Sequence, residues 1–278
     1  GGTVSGRLSY SNPNLQQIPA RNKEYGDKIR SLFLPEEGKQ WGSFDYSQQE
    51  PRLVAHYAAS VDDNFTGADE FIEAYKNEAA DFHQIVADMA GISRTHAKTI
   101  NLGLFYGMGK AKLAREMGIS KDNAEQLLQK YHSRVPFVKR LAESVMNSAS
   151  KYGFIRTIRG RKCRFDMWEP STFGMNKAMH YEEAKAIYGN NIRRAFTYKA
   201  LNRLIQGSAA DQTKQAMINC YKKGFKPLLQ IHDELCFSIN HEDDISKVKE
   251  IMENAIEDVK VPFKVDVALG KSWGQAKE

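Results

Sequence analysis

Three groups of residues have the types and spacing for chemistry. Asp45 ends the alternating run Trp41-Gly42-Ser43-Phe44-Asp45, a pattern that predicts a strand with a carboxylate at its tip. Asp233-Glu234 lies between two short β-type runs, 228–232 and 235–239, which predicts a tight hairpin. Taken singly, a strand-end Asp or an acidic turn is more often ordinary cap and turn chemistry. Brought together, Asp45 and Asp233 would repel unless they shared a cation, and oxygen donors without His or Cys select Mg²⁺ or Mn²⁺. The third group is Arg94, Lys98, Leu102 and Tyr106, stepping by four and so lying along one face of a helix. Its two cations suit a triphosphate and its last two side chains suit a flat base, although an amphipathic helix with a basic margin has the same pattern.

The surrounding chain must position these groups. Its 278 residues are 41% apolar and 27% charged, which gives globular composition and excludes disorder. No stretch reaches the ~18 apolar residues of a membrane helix, and the amino terminus lacks a secretory core. Cys163, Cys220 and Cys236 are odd in number and scattered, which argues against a disulfide framework and for an intracellular, cytoplasmic location. The net charge is +6, but from Arg94 to Arg164 sixteen Lys/Arg face four Asp/Glu, while 242–260 carries seven acidic and three basic residues. A basic middle of this kind suits a polyanion, and equally a solvated face.

Residues 1–35 read as extended and turn structure. Helices are expected after Pro51, within 69–90, from Ser93 to about Tyr106, over 121–131 and 134–150, across 191–222 and along the apolar stripe 245–259. The stretch 153–190 is mixed, and 261–267 closes as a strand. Helices in the middle with strands at both ends predict an α+β chain whose antiparallel sheet is split by a helical insertion.

At this level the residues carry a resemblance. Asp45-Tyr46-Ser47-Gln48-Gln49-Glu50-Pro51-Arg52, Arg94-Thr95-His96-Ala97-Lys98-Thr99-Ile100-Asn101-Leu102-Gly103-Leu104-Phe105-Tyr106-Gly107 and Gln230-Ile231-His232-Asp233-Glu234-Leu235 resemble, in order, the three polymerase motifs of family A DNA polymerases. Two flanking segments match as well, Gly6-Arg7-Leu8-Ser9 with Pro13-Asn14-Leu15-Gln16-Gln17-Ile18-Pro19, and Leu204-Ile205-Gln206-Gly207-Ser208-Ala209-Ala210-Asp211. The resemblance runs from about residue 6 to Trp273.

It implies a right-hand polymerase fold with the thumb absent: palm in 1–60 and 193–278, fingers in 61–192. Asp45 and Asp233, with the Tyr46 carbonyl, would bind two Mg²⁺ ions, and Glu234 would support them from the edge. Arg94, Lys98 and His83 would contact the phosphates of a dNTP, with Lys98 placed to donate a proton to pyrophosphate. Tyr106 would stack at the insertion site, beside Leu102 and Gln48, and Gly107 would lie next to the templating base. Glu50 would fill the space of a ribose 2′-hydroxyl. Arg7, Asn14, Asn202 and Gln206 would touch primer-template DNA, with His232 at the primer terminus.

Some positions depart from the family pattern. Leu102 stands where an aromatic is usual, Gln49 and Pro51 replace apolar residues, and Tyr198 replaces a frequent Arg. A long 165–190 stretch, with Leu102, leans toward a phage-type enzyme. The reading is a template-directed DNA polymerase module without proofreading in this chain. The alternatives are a non-catalytic DNA-binding fragment, or half of a split enzyme needing a thumb from another or the parent chain. Glu50 and Glu234 disfavour a single-subunit RNA polymerase.

Overall fold

The structure, a computed structural model, describes residues 3–19, 24–61, 68–76, 81–105, 108–172 and 177–276. In chain order the elements are α1 (Tyr25–Arg30), β1 (Gln40–Tyr46), α2 (Gln49–Val61), α3 (Ala68–Lys76), α4 (Phe82–Ala90), α5 (Arg94–Phe105), α6 (Lys110–Met117), α7 (Lys121–Arg134) and α8 (Pro136–Tyr152). There follow β2 (Phe154–Arg156), β3 (Lys162–Arg164), β4 (Trp168–Pro170), α9 (Tyr181–Tyr188), β5 (Ile192–Arg194), α10 (Ala200–Lys222), β6 (Pro227–Ile231), β7 (Glu234–Ile239), α11 (Glu242–Glu253) and β8 (Val265–Gly270). The chain is thus mixed α+β with antiparallel sheets. It forms two compact units, one of 1–53 with 207–278 and the other of 54–206. The boundaries fall inside α2 and α10.

The first unit is built on a four-stranded sheet in the order β6-β7-β1-β8. Alternation along β1 sends Phe44 and Tyr46 to one face, where Phe44 meets Phe237 edge-on and the Tyr46 hydroxyl donates to the Met252 carbonyl of α11 at 2.6 Å. The other face carries Trp41, Leu229, Ile231 and Cys236, covered by Trp273 and by Tyr10, Leu15, Ile18 and Phe33 of the amino-terminal segment. Both faces are therefore buried, and the sheet is a rigid platform for whatever stands at its end.

The second unit is mostly helical. Asp81 caps α4 by accepting from the His83 and Gln84 N–H groups, Ser120 caps α7, and Pro136 opens α8 where no N–H is needed. Phe71, Phe82 and Phe137 form its aromatic centre. Buried among these helices, the Tyr131 hydroxyl donates to Asn101 Oδ1 at 2.5 Å. Tyr131→Phe would leave that oxygen without its donor, and is expected to cost about 1–3 kcal/mol of stability in a denaturant titration; an unshifted midpoint would contradict the role.

Three local expectations are corrected. The helix over 191–222 starts only at Ala200, because Ile192–Arg194 pair with β4 and Phe196 turns the chain at φ 63°. The extended reading of 1–35 missed α1, a six-residue helix too short to show apolar periodicity. A further helix, α6, fills the interval after Gly109, where the sequence predicts no element.

Candidate active site

Asp45 stands exposed at the end of β1. Its register partners are Glu234 on β7 and Asp266 on β8, so three acidic residues lie side by side on one face of the sheet. Asp233 occupies the two-residue turn between β6 and β7, and its carbonyl faces the Tyr46 N–H at 3.4 Å. The hairpin and the central strand thus bring Asp45 and Asp233 to the same sheet end. The turn is held by unusual backbone, with His232 at φ 54° and its carbonyl accepting from Gln230 Nε2 at 2.6 Å.

Glu50 lies in the first turn of α2, half-buried, and its Oε1 accepts from Arg7 Nη2 at 2.7 Å. Two neighbours fix this pair. Lys214 Nζ donates to the Gly6 carbonyl at 2.5 Å, which anchors the segment carrying Arg7. Gln49, fully buried, donates from Nε2 to Gln212 Oε1, Thr213 Oγ1 and the Ala209 carbonyl, locking the start of α2 onto α10. The polar residue that departs from the family pattern is therefore a strut for Glu50.

Burial lifts the Glu50 carboxyl above the ordinary range; Arg7 opposes the rise and Asp233 adds to it. Burial likewise lifts Asp233, opposed by its own backbone N–H, Arg7 and His232, with Glu234 raising it further. A carboxylate raised in the folded state loses stability as the pH rises from its unfolded to its folded pKa. Arg7→Ala should accordingly melt below the parent protein at neutral pH, with the gap closing as the pH falls through the carboxylate range. Melting temperatures against pH check this; a pH-independent gap would contradict it.

In the second unit, Arg94 and Lys98 lie exposed on α5. Arg94 Nε and Nη2 both donate to Asp81 Oδ2, at 2.9 and 2.6 Å. Burial alone would raise the Asp81 carboxyl, but the bonds from Arg94 and from the Gln84 and His83 N–H groups hold it below the usual range. His83 Nδ1 meets Asn101 Nδ2 at 3.0 Å, and burial keeps its pKa low. The Asn101 side chain thus couples His83 to Tyr131. Leu102 lies on α5, while Tyr106 and Gly107 lie outside the described residues. Asn202 and Gln206 are half-buried one turn apart on α10, and Gln48 sits at φ 51° just before α2. Asn14 caps the short turn Leu15–Gln17 by accepting from the Gln16 N–H.

Sequence reasoning missed Asp266, Asp81 and Asn101. Asp266 had a signal, an acidic residue between two valines in a strand, where Asp is disfavoured. The other two are visible only in the packed helices.

Among the described residues, no three His, Cys, Asp or Glu side chains form a ready-made metal cage. Asp45 and Asp233 supply two hard oxygen donors, the number Mg²⁺ accepts beside water and phosphate. The donor set fits that ion.

The fold is similar to that of the POL domain of Pol1 from M. smegmatis, solved in complex with DNA primer-template and dNTP. The TM-score is 0.77 at 33% identity, covering 99% of this chain and 47% of that one. The DNA polymerase family A model matches residues 1–275, and the chain belongs to that family. It is 37% identical to a DNA-directed DNA polymerase of Pseudomonas phage M6, over 99% of this chain and 44% of that protein. DNA polymerase I of Lactococcus lactis subsp. lactis is 36% identical over 99% of this chain and 30% of its own length. The chain therefore spans less than half the length of these relatives.

Proposed function

We propose that this chain is the palm and fingers of a template-directed DNA polymerase, adding dNTPs to a primer 3′-hydroxyl. The observation that carries the reading is the meeting of Asp45, on β1, with Asp233 and Glu234, on a hairpin far along the chain, at one sheet end beside the Arg7–Glu50 pair. The unit of 1–53 with 207–278 would be the palm, and the unit of 54–206 the fingers.

Asp45 and Asp233 would hold two Mg²⁺ ions, with Mn²⁺ as a substitute and the Tyr46 carbonyl assisting. When bound, such ions supply activation of the 3′-hydroxyl and neutralise charge on the leaving pyrophosphate. The remaining contributions are positioning and the placement of one proton. Glu50 would exclude the 2′-hydroxyl. Arg94 would exchange its bonds to Asp81 for those to a nucleotide phosphate, and Lys98 would hold a proton toward the leaving group. Arg7, Asn14, Asn202, Gln206 and His232 would contact primer-template DNA, while Tyr106 would stack at the insertion site and Gly107 would lie beside the templating base.

Primer extension by this chain, with dNTPs against NTPs and with or without the rest of its parent polypeptide, tests the reading. Extension with dNTPs by the chain alone is the expected result. Extension only with the remainder present would identify a half-enzyme, and DNA binding without extension in either arm would identify a non-catalytic fragment.

A further inference from the structure

Glu234 is restrained in a way the roles above do not explain. Its Oε1 accepts from the indole Nε1 of Trp273 at 3.2 Å and from the Cys236 thiol at 3.3 Å. Both donors are buried, whereas the carboxylate they hold is only half-buried and directly opposite Asp45. The Cys236 thiol reaches this carboxylate from within the core. Behind it the bonds continue, with Ser43 Oγ 3.8 Å from Cys236 Sγ and Trp41 Nε1 donating to Ser43 at 3.0 Å.

Trp273 is itself seated on several sides. Its ring packs edge-on against Phe33 at 5.5 Å and stacks on Trp41 at 6.4 Å, and the Arg30 guanidinium lies over it at 4.4 Å. Its backbone N–H donates to the Phe33 carbonyl at 3.0 Å. The next residue must be glycine, because a Cβ at Gly274 would collide with Ser31 Oγ and lie 2.5 Å from the Asp27 carbonyl. Packing accounts for the ring. It does not account for an indole N–H aimed at an acidic residue of the sheet end.

We propose that Trp273, with Cys236, is a positioning residue that fixes the Glu234 carboxylate by one oxygen and so sets the geometry of the divalent-ion site. The inference rests on the metal reading of Asp45 and Asp233. Two donors on Oε1 stop the side chain from rotating, leaving its second oxygen with a defined aim.

The test is Mn²⁺ binding to the chain, followed by electron paramagnetic resonance, with thermal melting in parallel. Trp273→Phe keeps a ring for Phe33 and Trp41 but removes the N–H. It should raise the Mn²⁺ concentration for half-saturation at least threefold. Cys236→Ala should raise it less, and carries the test alone if Trp273→Phe does not melt cooperatively. In extension assays the Mg²⁺ requirement should rise while the KM for dNTP stays put, a split that loosened packing alone would not give. Unchanged Mn²⁺ affinity in the folded variants overturns the positioning role and leaves the metal reading intact. Retention of parent-level Mn²⁺ binding by the Asp45→Asn/Asp233→Asn double variant overturns the metal reading itself, and the positioning role with it.

Discussion

Asp233→Ala should reduce primer extension by at least about 10³-fold, equivalent to about 4 kcal/mol of transition-state stabilisation. The residue sits in the tightest turn of the sheet, with its carbonyl facing the Tyr46 N–H and its carboxyl pushed up by burial. Such a carboxylate is costly to keep ionised, so a bound cation would gain most there. DNA affinity should stay within a few-fold, since on the proposed reading the phosphate contacts would come from cations elsewhere. Single-turnover extension and a filter-binding titration measure the two quantities. Undiminished extension would remove the metal role, and lost DNA affinity would show that the turn is structural.

The second large effect is on sugar choice. Glu50→Ala should lower the preference for a deoxynucleotide over its ribonucleotide by about 100-fold, read as the ratio of kcat/KM values for the two. The carboxylate is braced by Arg7 on one side and, through Gln49, by α10 on the other, so it would act as a fixed obstacle. Glu50→Gln should retain most of the discrimination, because its volume is kept although the ion pair is lost. An unchanged ratio in the alanine variant would rule out the steric role.

Much of this is legible in the sequence. The alternating run ending at Asp45 and the acidic pair between two β-type runs became β1 and the β6–β7 turn, because period-two burial and turn chemistry are local properties. The split sheet followed from the order of strands and helices. What escaped depends on pairing between distant segments. Nothing near Asp45 in sequence says that Asp266 will be its neighbour on β8, or that Trp273 will reach Glu234. The bonds that hold Arg94 to Asp81 escaped for the same reason: a basic helix face shows its charge in the sequence, not its partner. Short elements escaped differently, since the six residues of α1 and the three of β5 hold too few positions to reveal a period.

The two halves of the sheet have a kinetic consequence. Ser43 and Cys236 touch across 193 residues of chain, and closing so long an unstructured loop carries an entropy cost that grows with its length. The intervening unit has its own aromatic centre and mostly local helical pairings, which form fast. Ordering it first would replace a wandering loop with fixed exits and let β1 find β7 last. The carboxylates would then converge only at the final step, so a molecule stalled midway would have a folded insertion and no centre at which to do chemistry.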